Sequence, residues 1–108
     1  MKKFELYNLK INETDKHVLT VAELKEYIDF EVKRIYTISS FRVKDTGQHC
    51  HYEEKEFFTV VQGSATAVID KGQGLEEFTL KPGLAIYVPN YVWHGFKNIS
   101  QDAIIFAL

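Results

Sequence analysis

The chain has 108 residues, 45% of them hydrophobic and 14% aromatic, which suits one globular domain over residues 1–108 with a single core. A net charge of −2 gives no electrostatic reason to expect nucleic acid or a membrane surface as partner, and points instead to a small molecule. No run approaches the roughly 18 apolar residues of a membrane span. The amino terminus MKKFELYNLK lacks a signal peptide's apolar centre, and the single cysteine, Cys50, has no internal partner for a disulfide, so the expected location is the cytoplasm.

In chain order, KHVLTV reads as strand with His17 exposed, and Val21 to Tyr27, VAELKEY, is the only helical candidate, too short to stand alone. From Val32 the run VKRIYTISS alternates, with Arg34, Tyr36 and Ile38 on one face and Lys33, Ile35 and Thr37 on the other. Further β-rich runs follow at FFTVV, ATAVI, EEFTL, LAIYV and AIIFAL. Turn chemistry separates them at Asp45-Thr46-Gly47, Gln62-Gly63-Ser64, Asp70 to Gly74, Lys81-Pro82-Gly83, Pro89-Asn90 and Asn98 to Asp102. Short strands at about ten-residue intervals predict an all-β antiparallel sandwich or barrel.

The stretch HCHYEEKEFFTVVQG, residues 49–63, carries the most chemistry. On a strand, His49 and His51 project to one face and Cys50 to the other, where it reads as a small apolar group. Glu56 follows a break, YEEK, and is expected to reach both imidazoles from an adjoining strand about 4.8 Å away. A second segment spaces Gly83, Pro89, His94 and Asn98.

Together these segments resemble the two motifs of the cupin superfamily, which implies a single-domain antiparallel β-barrel (a double-stranded β-helix, or jelly roll). The resemblance puts His49, His51, Glu56 and His94 at metal-ligand positions and Gly63, Gly83, Pro89 and Asn98 at structural ones. Two positions depart from the pattern: the early glycine is missing, and Tyr91 stands where glycine is common. The segments FEVKRIYTI, TGQHCH, VVQGSATAVID and LAIYVPNYVWHGFKNIS, in that order, resemble the dTDP-sugar 3,4-ketoisomerases within that superfamily. That likeness implies conversion of dTDP-4-oxo-6-deoxyglucose to a 3-oxo isomer without a cofactor, in deoxysugar biosynthesis for surface polysaccharide. By the same resemblance His51 is the catalytic base with His49 beside it, Tyr36 carries protons and Arg34 is among the groups that bind substrate; Arg42 and His94 are further expected substrate-binding residues.

The chemistry suits these residue types. Moving a carbonyl from C4 to C3 requires removal of the C3 proton, and imidazole titrates near working pH. A phenol both donates and accepts, so Tyr36 can relay a proton between the two oxygens. Against 11 lysines the chain has two arginines, Arg34 and Arg42, and a guanidinium fork grips a diphosphate as lysine does not. Tyr52, Phe57 and Tyr91 are candidates to stack on thymine, and Trp93 reads as packing.

Three features depart from the ketoisomerase pattern. Thr46 stands where the family has arginine, Glu56 is present where the family often lacks it, and the sequence reaches Leu108 without the extension common there. Glu56 restores a complete ligand set, so one alternative is a metallo-cupin holding a divalent first-row ion on His49, His51, Glu56 and His94. Another is a non-catalytic sugar-nucleotide-binding module. The apolar end AIIFAL is expected to be an edge strand pairing with another copy in a homodimer.

Overall fold

In the computed structural model, which describes residues 2–39, 42, 44–49 (backbone only for 46–49) and 54–108, nearly all regular structure is strand. The strands are β1 (Glu5–Asn8), β2 (Lys10–Glu13), β3 (Val18–Val21), β4 (Tyr36–Ile38), β5 (Thr46–His49), β6 (Glu56–Gln62), β7 (Ala65–Asp70), β8 (Leu75–Leu80), β9 (Leu84–Val88), β10 (Trp93–Lys97) and β11 (Ile104–Ala107), with one helical turn, α1 (Leu24–Tyr27). A five-stranded sheet in the order β1-β9-β6-β11-β4 faces a four-stranded sheet in the order β5-β10-β7-β8, and β2 pairs with β3 separately. All pairings are antiparallel. This is the all-β jelly roll that the strand spacing predicts. Among the described residues no helix is long and apolar enough to cross a membrane.

Period-two alternation sorts the side chains into two clusters. Phe58, Val60, Ile86, Val88, Ile105 and Ala107 meet Ala65, Ala67, Ile69, Leu80 and Phe96 between the sheets. The intervening residues Phe57, Ala85 and Tyr87 face outward, where Tyr7, Leu24, Tyr27, Ile28 and Phe30 cover them. Strands β6 and β9 are therefore buried on both faces, which is why FFTVV and LAIYV read as continuous apolar runs. The wrapping segment has a second effect: Ile28 and Phe30 hold the chain against the outside of the sheet just before it enters β4.

Several expectations change. The run from Val32 is strand only from Tyr36, because the preceding residues belong to the wrapping segment. Thr46 and Gly47 lie within β5 rather than in a turn. There, His49 pairs with His94 and Thr46 with Phe96, so three steps along β5 match two along β10, a β-bulge. The end strand β11 lies between β6 and β4, with Ile105 opposite both Val60 and Ile38, so it is not a free edge and cannot pair with another copy as expected. Strands β1, β2 and β10 do not stand out in the sequence, whereas all five predicted β-rich runs form strands.

Turn residues carry the backbone strain. Gly63 and Gly83 have φ of +74° and +100°, and Tyr91 has φ of +68°, so the site where glycine is common is a left-handed position that tyrosine occupies. Asn98, φ +50°, is a residue type that tolerates this region. At Gly63 an added Cβ would also lie 2.8 Å from the backbone Cα of Ala103. Gly63→Ala therefore combines strain with a clash and should destabilise the fold by roughly 2–4 kcal/mol in a denaturant titration; a loss under 0.5 kcal/mol contradicts this packing.

Candidate active site

Glu56 opens β6 on the face shared by Phe58 and Val60, so its carboxylate points between the sheets, and only 6% of the residue is exposed. His94 lies on β10 in the opposite sheet, 3% exposed, with the Phe58 ring 5.8 Å away. The two meet across the core: His94 Nε2 is 3.3 Å from Glu56 Oε1. His94 Nδ1 is 3.1 Å from the carbonyl oxygen of Val92. A carbonyl only accepts, so Nδ1 carries a proton and Nε2 is the nitrogen turned to the carboxylate.

Tyr36, the first residue of β4, completes the group. Its hydroxyl donates to Glu56 Oε2 at 2.9 Å. Burial, and then the charge and hydrogen bond of Glu56, push the Tyr36 pKa up to about 12, partly opposed by Arg34. The phenol is thus protonated across the physiological range. The Arg34 guanidinium carbon lies 5.1 Å from the centre of the Tyr36 ring, a cation–π distance. Arg34, Tyr36 and Glu56 line one cleft of about 670 Å³ with Lys33, Glu54 and Leu108.

The wall of this cleft is tied to its base. Asp29, in the wrapping segment, accepts from the buried Tyr87 hydroxyl at 2.5 Å and from Lys55 Nζ at 3.1 Å. Lys55 directly precedes Glu56, so the segment leading to Arg34 is fastened both to the sheet and to the strand that carries the carboxylate.

Of the residues expected at the site, Tyr36, Arg34, Glu56 and His94 come together. The backbone of His49 sits opposite His94 on β5, while His51, Cys50 and Tyr52 lie outside the described residues. Glu56 does not stand on a strand adjoining β5, as expected; it faces that sheet from across the barrel, because β6 pairs with β9 and β11. Arg42 is exposed and is not among the described residues of the cleft wall. Phe57 is 1% exposed in the outer cluster, which removes it as a stacking partner, whereas Tyr91 is 62% exposed. His17 is exposed just before β3, and Trp93 is half-buried. The spacing of the motifs does not reveal the bond between Tyr36 and Glu56; residues 56, 58 and 60 share a face, and that face meets Tyr36.

The donors suit a metal as well as a proton. Two ligands of one tetrahedral ion with bonds of about 2.1 Å stand roughly 3.4 Å apart, close to the 3.3 Å between Glu56 Oε1 and His94 Nε2. Among the described residues no group of three possible ligands gathers. His49 and His51 would supply the remaining nitrogens, and such an ion would add Lewis-acid polarisation of a carbonyl.

A sandwich of this topology with a histidine, a carboxylate and a phenol inside it defines a cupin-like barrel with an internal site. Residues 2–108 match the family model FdtA, described as WxcM-like, C-terminal, and the chain belongs to that family. It is 29% identical over 92 residues to a TDP-4-oxo-6-deoxy-α-D-glucose-3,4-oxoisomerase of Aneurinibacillus thermoaerophilus, a match covering 83% of this chain and 66% of that protein. Among solved structures, a 3,4-ketoisomerase from Helicobacter canadensis superposes with a TM-score of 0.87 at 27% identity, over 97% of this chain and 80% of that one. The sugar 3,4-ketoisomerase QdtA from Thermoanaerobacterium thermosaccharolyticum, solved in complex with TDP, has the same fold at 21% identity, with a TM-score of 0.87 over 98% of this chain and 79% of that one.

Glu56→Gln removes the charge that helps raise the Tyr36 pKa. In a pH titration of protein labelled with ¹³C at the tyrosine ring carbon bearing oxygen, the Tyr36 midpoint should fall from about 12 but stay above 10, because burial remains. An unchanged midpoint contradicts the geometry.

Proposed function

We propose that this chain is a nucleotide-sugar 3,4-ketoisomerase, converting dTDP-4-oxo-6-deoxyglucose to a dTDP-3-oxo-6-deoxyhexose for deoxysugar and surface-polysaccharide biosynthesis. The observation that carries the reading is a protonated phenol, Tyr36, in a cleft beside the Arg34 guanidinium, in a chain that belongs to the FdtA family. The named activity of the Aneurinibacillus relative supplies the reaction.

In this mechanism His51, with His49 beside it, takes the C3 proton, which the C4 ketone acidifies. The electron pair of the C3–H bond forms the C3–C4 double bond, and the carbonyl π electrons move to O4. Tyr36 then moves the O3 proton to O4, the C3 carbonyl forms, and the base returns a proton to C4. Atoms and electrons balance with no oxidant or cofactor. Arg34 and Arg42 grip the diphosphate, and His94, 3.3 Å from Glu56 Oε1, is the third substrate-binding residue. The enzyme is proposed to be a cytoplasmic homodimer acting through one domain, residues 1–108.

The 3.3 Å approach of Glu56 and His94 favours one second reading, a metal-binding cupin with His49 and His51 as further ligands. A module that binds dTDP without turnover is the third.

In D2O the protein should place deuterium at C3 of recovered substrate and form the 3-oxo product. Neither label nor product, with dTDP still bound, leaves the binding module; activity lost on chelation and restored by one ion equivalent leaves the metallo-cupin. Replacing the guanidinium in Arg34→Lys should lower kcat/KM at least tenfold, mostly through KM, since an ammonium does not reproduce the fork. An unchanged KM removes Arg34 from the diphosphate site.

A further inference from the structure

The direction of one hydrogen bond constrains the proton relay. The Tyr36 hydroxyl donates to Glu56 Oε2 at 2.9 Å, so its proton points at the carboxylate and its lone pairs are left for the cleft. A phenol in this state meets the substrate's C3 hydroxyl as an acceptor. A neutral phenol that receives a proton must release one in the same event, since the alternative is an oxonium ion. Glu56 Oε2 is the acceptor already in line.

We infer that Glu56 takes up the Tyr36 proton while Tyr36 accepts the one leaving O3, so that the two side chains form a single carrier between O3 and O4. This rests on the isomerase reading above. In the forward step the O3–H bond breaks and a Tyr36 O–H bond forms, while the former Tyr36 O–H bond breaks and Glu56 Oε2–H forms. In the return step Glu56 gives its proton back to Tyr36 as Tyr36 protonates O4. Nothing is oxidised, and the carboxylate is regenerated. Glu56 acts through Tyr36 and is a positioning residue. His94 Nε2 lies 3.3 Å from Oε1, so the imidazole stands beside the carboxylate oxygen that the phenol does not use.

The arrangement separates two processes that a structural role would not separate. Enolisation is the work of the base at C3, and the C3 proton does not pass through Glu56. Relieving O3 of its proton needs an acceptor behind Tyr36, and that is lost. In Glu56→Gln, deuterium exchange into C3 of the substrate should therefore stay within about threefold of the wild type while 3-oxo product formation falls about 100-fold, within the usual range for one proton-transfer group. In Tyr36→Phe product formation should fall likewise, and adding Glu56→Gln to it should cost no more than a further threefold, because the two act as one unit. Glu56→Asp, which retracts the carboxylate, should show the same uncoupling and serves if the glutamine variant does not fold.

The wild type is the control for the underlying reading: if it neither exchanges nor isomerises, the isomerase assignment fails. If the wild type does both, and a folded Glu56 variant loses exchange and product in equal proportion, the relay role of Glu56 is overturned while the isomerase stands. It is overturned too if wild-type turnover depends on a stoichiometric metal ion that the Glu56 variants lose.

Discussion

A carboxylate lies between two β-sheets with almost no access to water, and the rest of the site follows from how it is satisfied. Taking an ionised group of this size out of water costs several kcal/mol even after relaxation, so Glu56 requires partners in fixed positions. Tyr36 reaches it from β4 of its own sheet, and His94 from β10 of the facing sheet. Residues of three strands, β4, β6 and β10, thus meet at this carboxylate. Tyr36 and Glu56 also line the cleft, so the polar cluster adjoins it from between the sheets.

The apolar architecture decides where this cluster lies. Phe58 and Val60 continue the inward face of β6 into the core, so the polar end of the strand opens the pocket and the apolar end closes it. On the outside, Phe57 and Tyr87 anchor the segment that runs through Ile28 and Phe30 toward Arg34. Asp29 adds a polar fastening through Tyr87 and Lys55. The guanidinium beside the phenol is thus held by packing on the far face of the sheet, not by contacts within the cleft alone.

Much of this was legible in the sequence. Alternating apolar residues and glycine-bearing turns are local signals, and they gave every strand from β6 to β9 as well as β11. The spacing of Glu56 and His94 identified two residues that do meet; Arg34 and Tyr36 share one cleft, but not through strand alternation, since the strand begins at Tyr36 and Lys33, expected on the opposite face, lines the same cleft. What failed was long-range. Whether a strand is an edge depends on which partners flank it, so the apolar end AIIFAL looked like an open edge although β4 and β6 cover it. The choice between an adjoining strand and a facing sheet for Glu56 depends on closure of the barrel, which spacing does not encode. Phe57 looked available for stacking because the segment that buries it lies some thirty residues earlier in the chain.

The central claim is that substrate meets the Tyr36 phenol in front of the Glu56 carboxylate. The most direct test is a crystal structure with dTDP-glucose, which has no ketone and cannot react. The account predicts that the C3 or C4 oxygen of the sugar lies within hydrogen-bond reach of Tyr36 Oη, with the diphosphate at Arg34. A sugar seated elsewhere, beyond reach of the phenol, would contradict it.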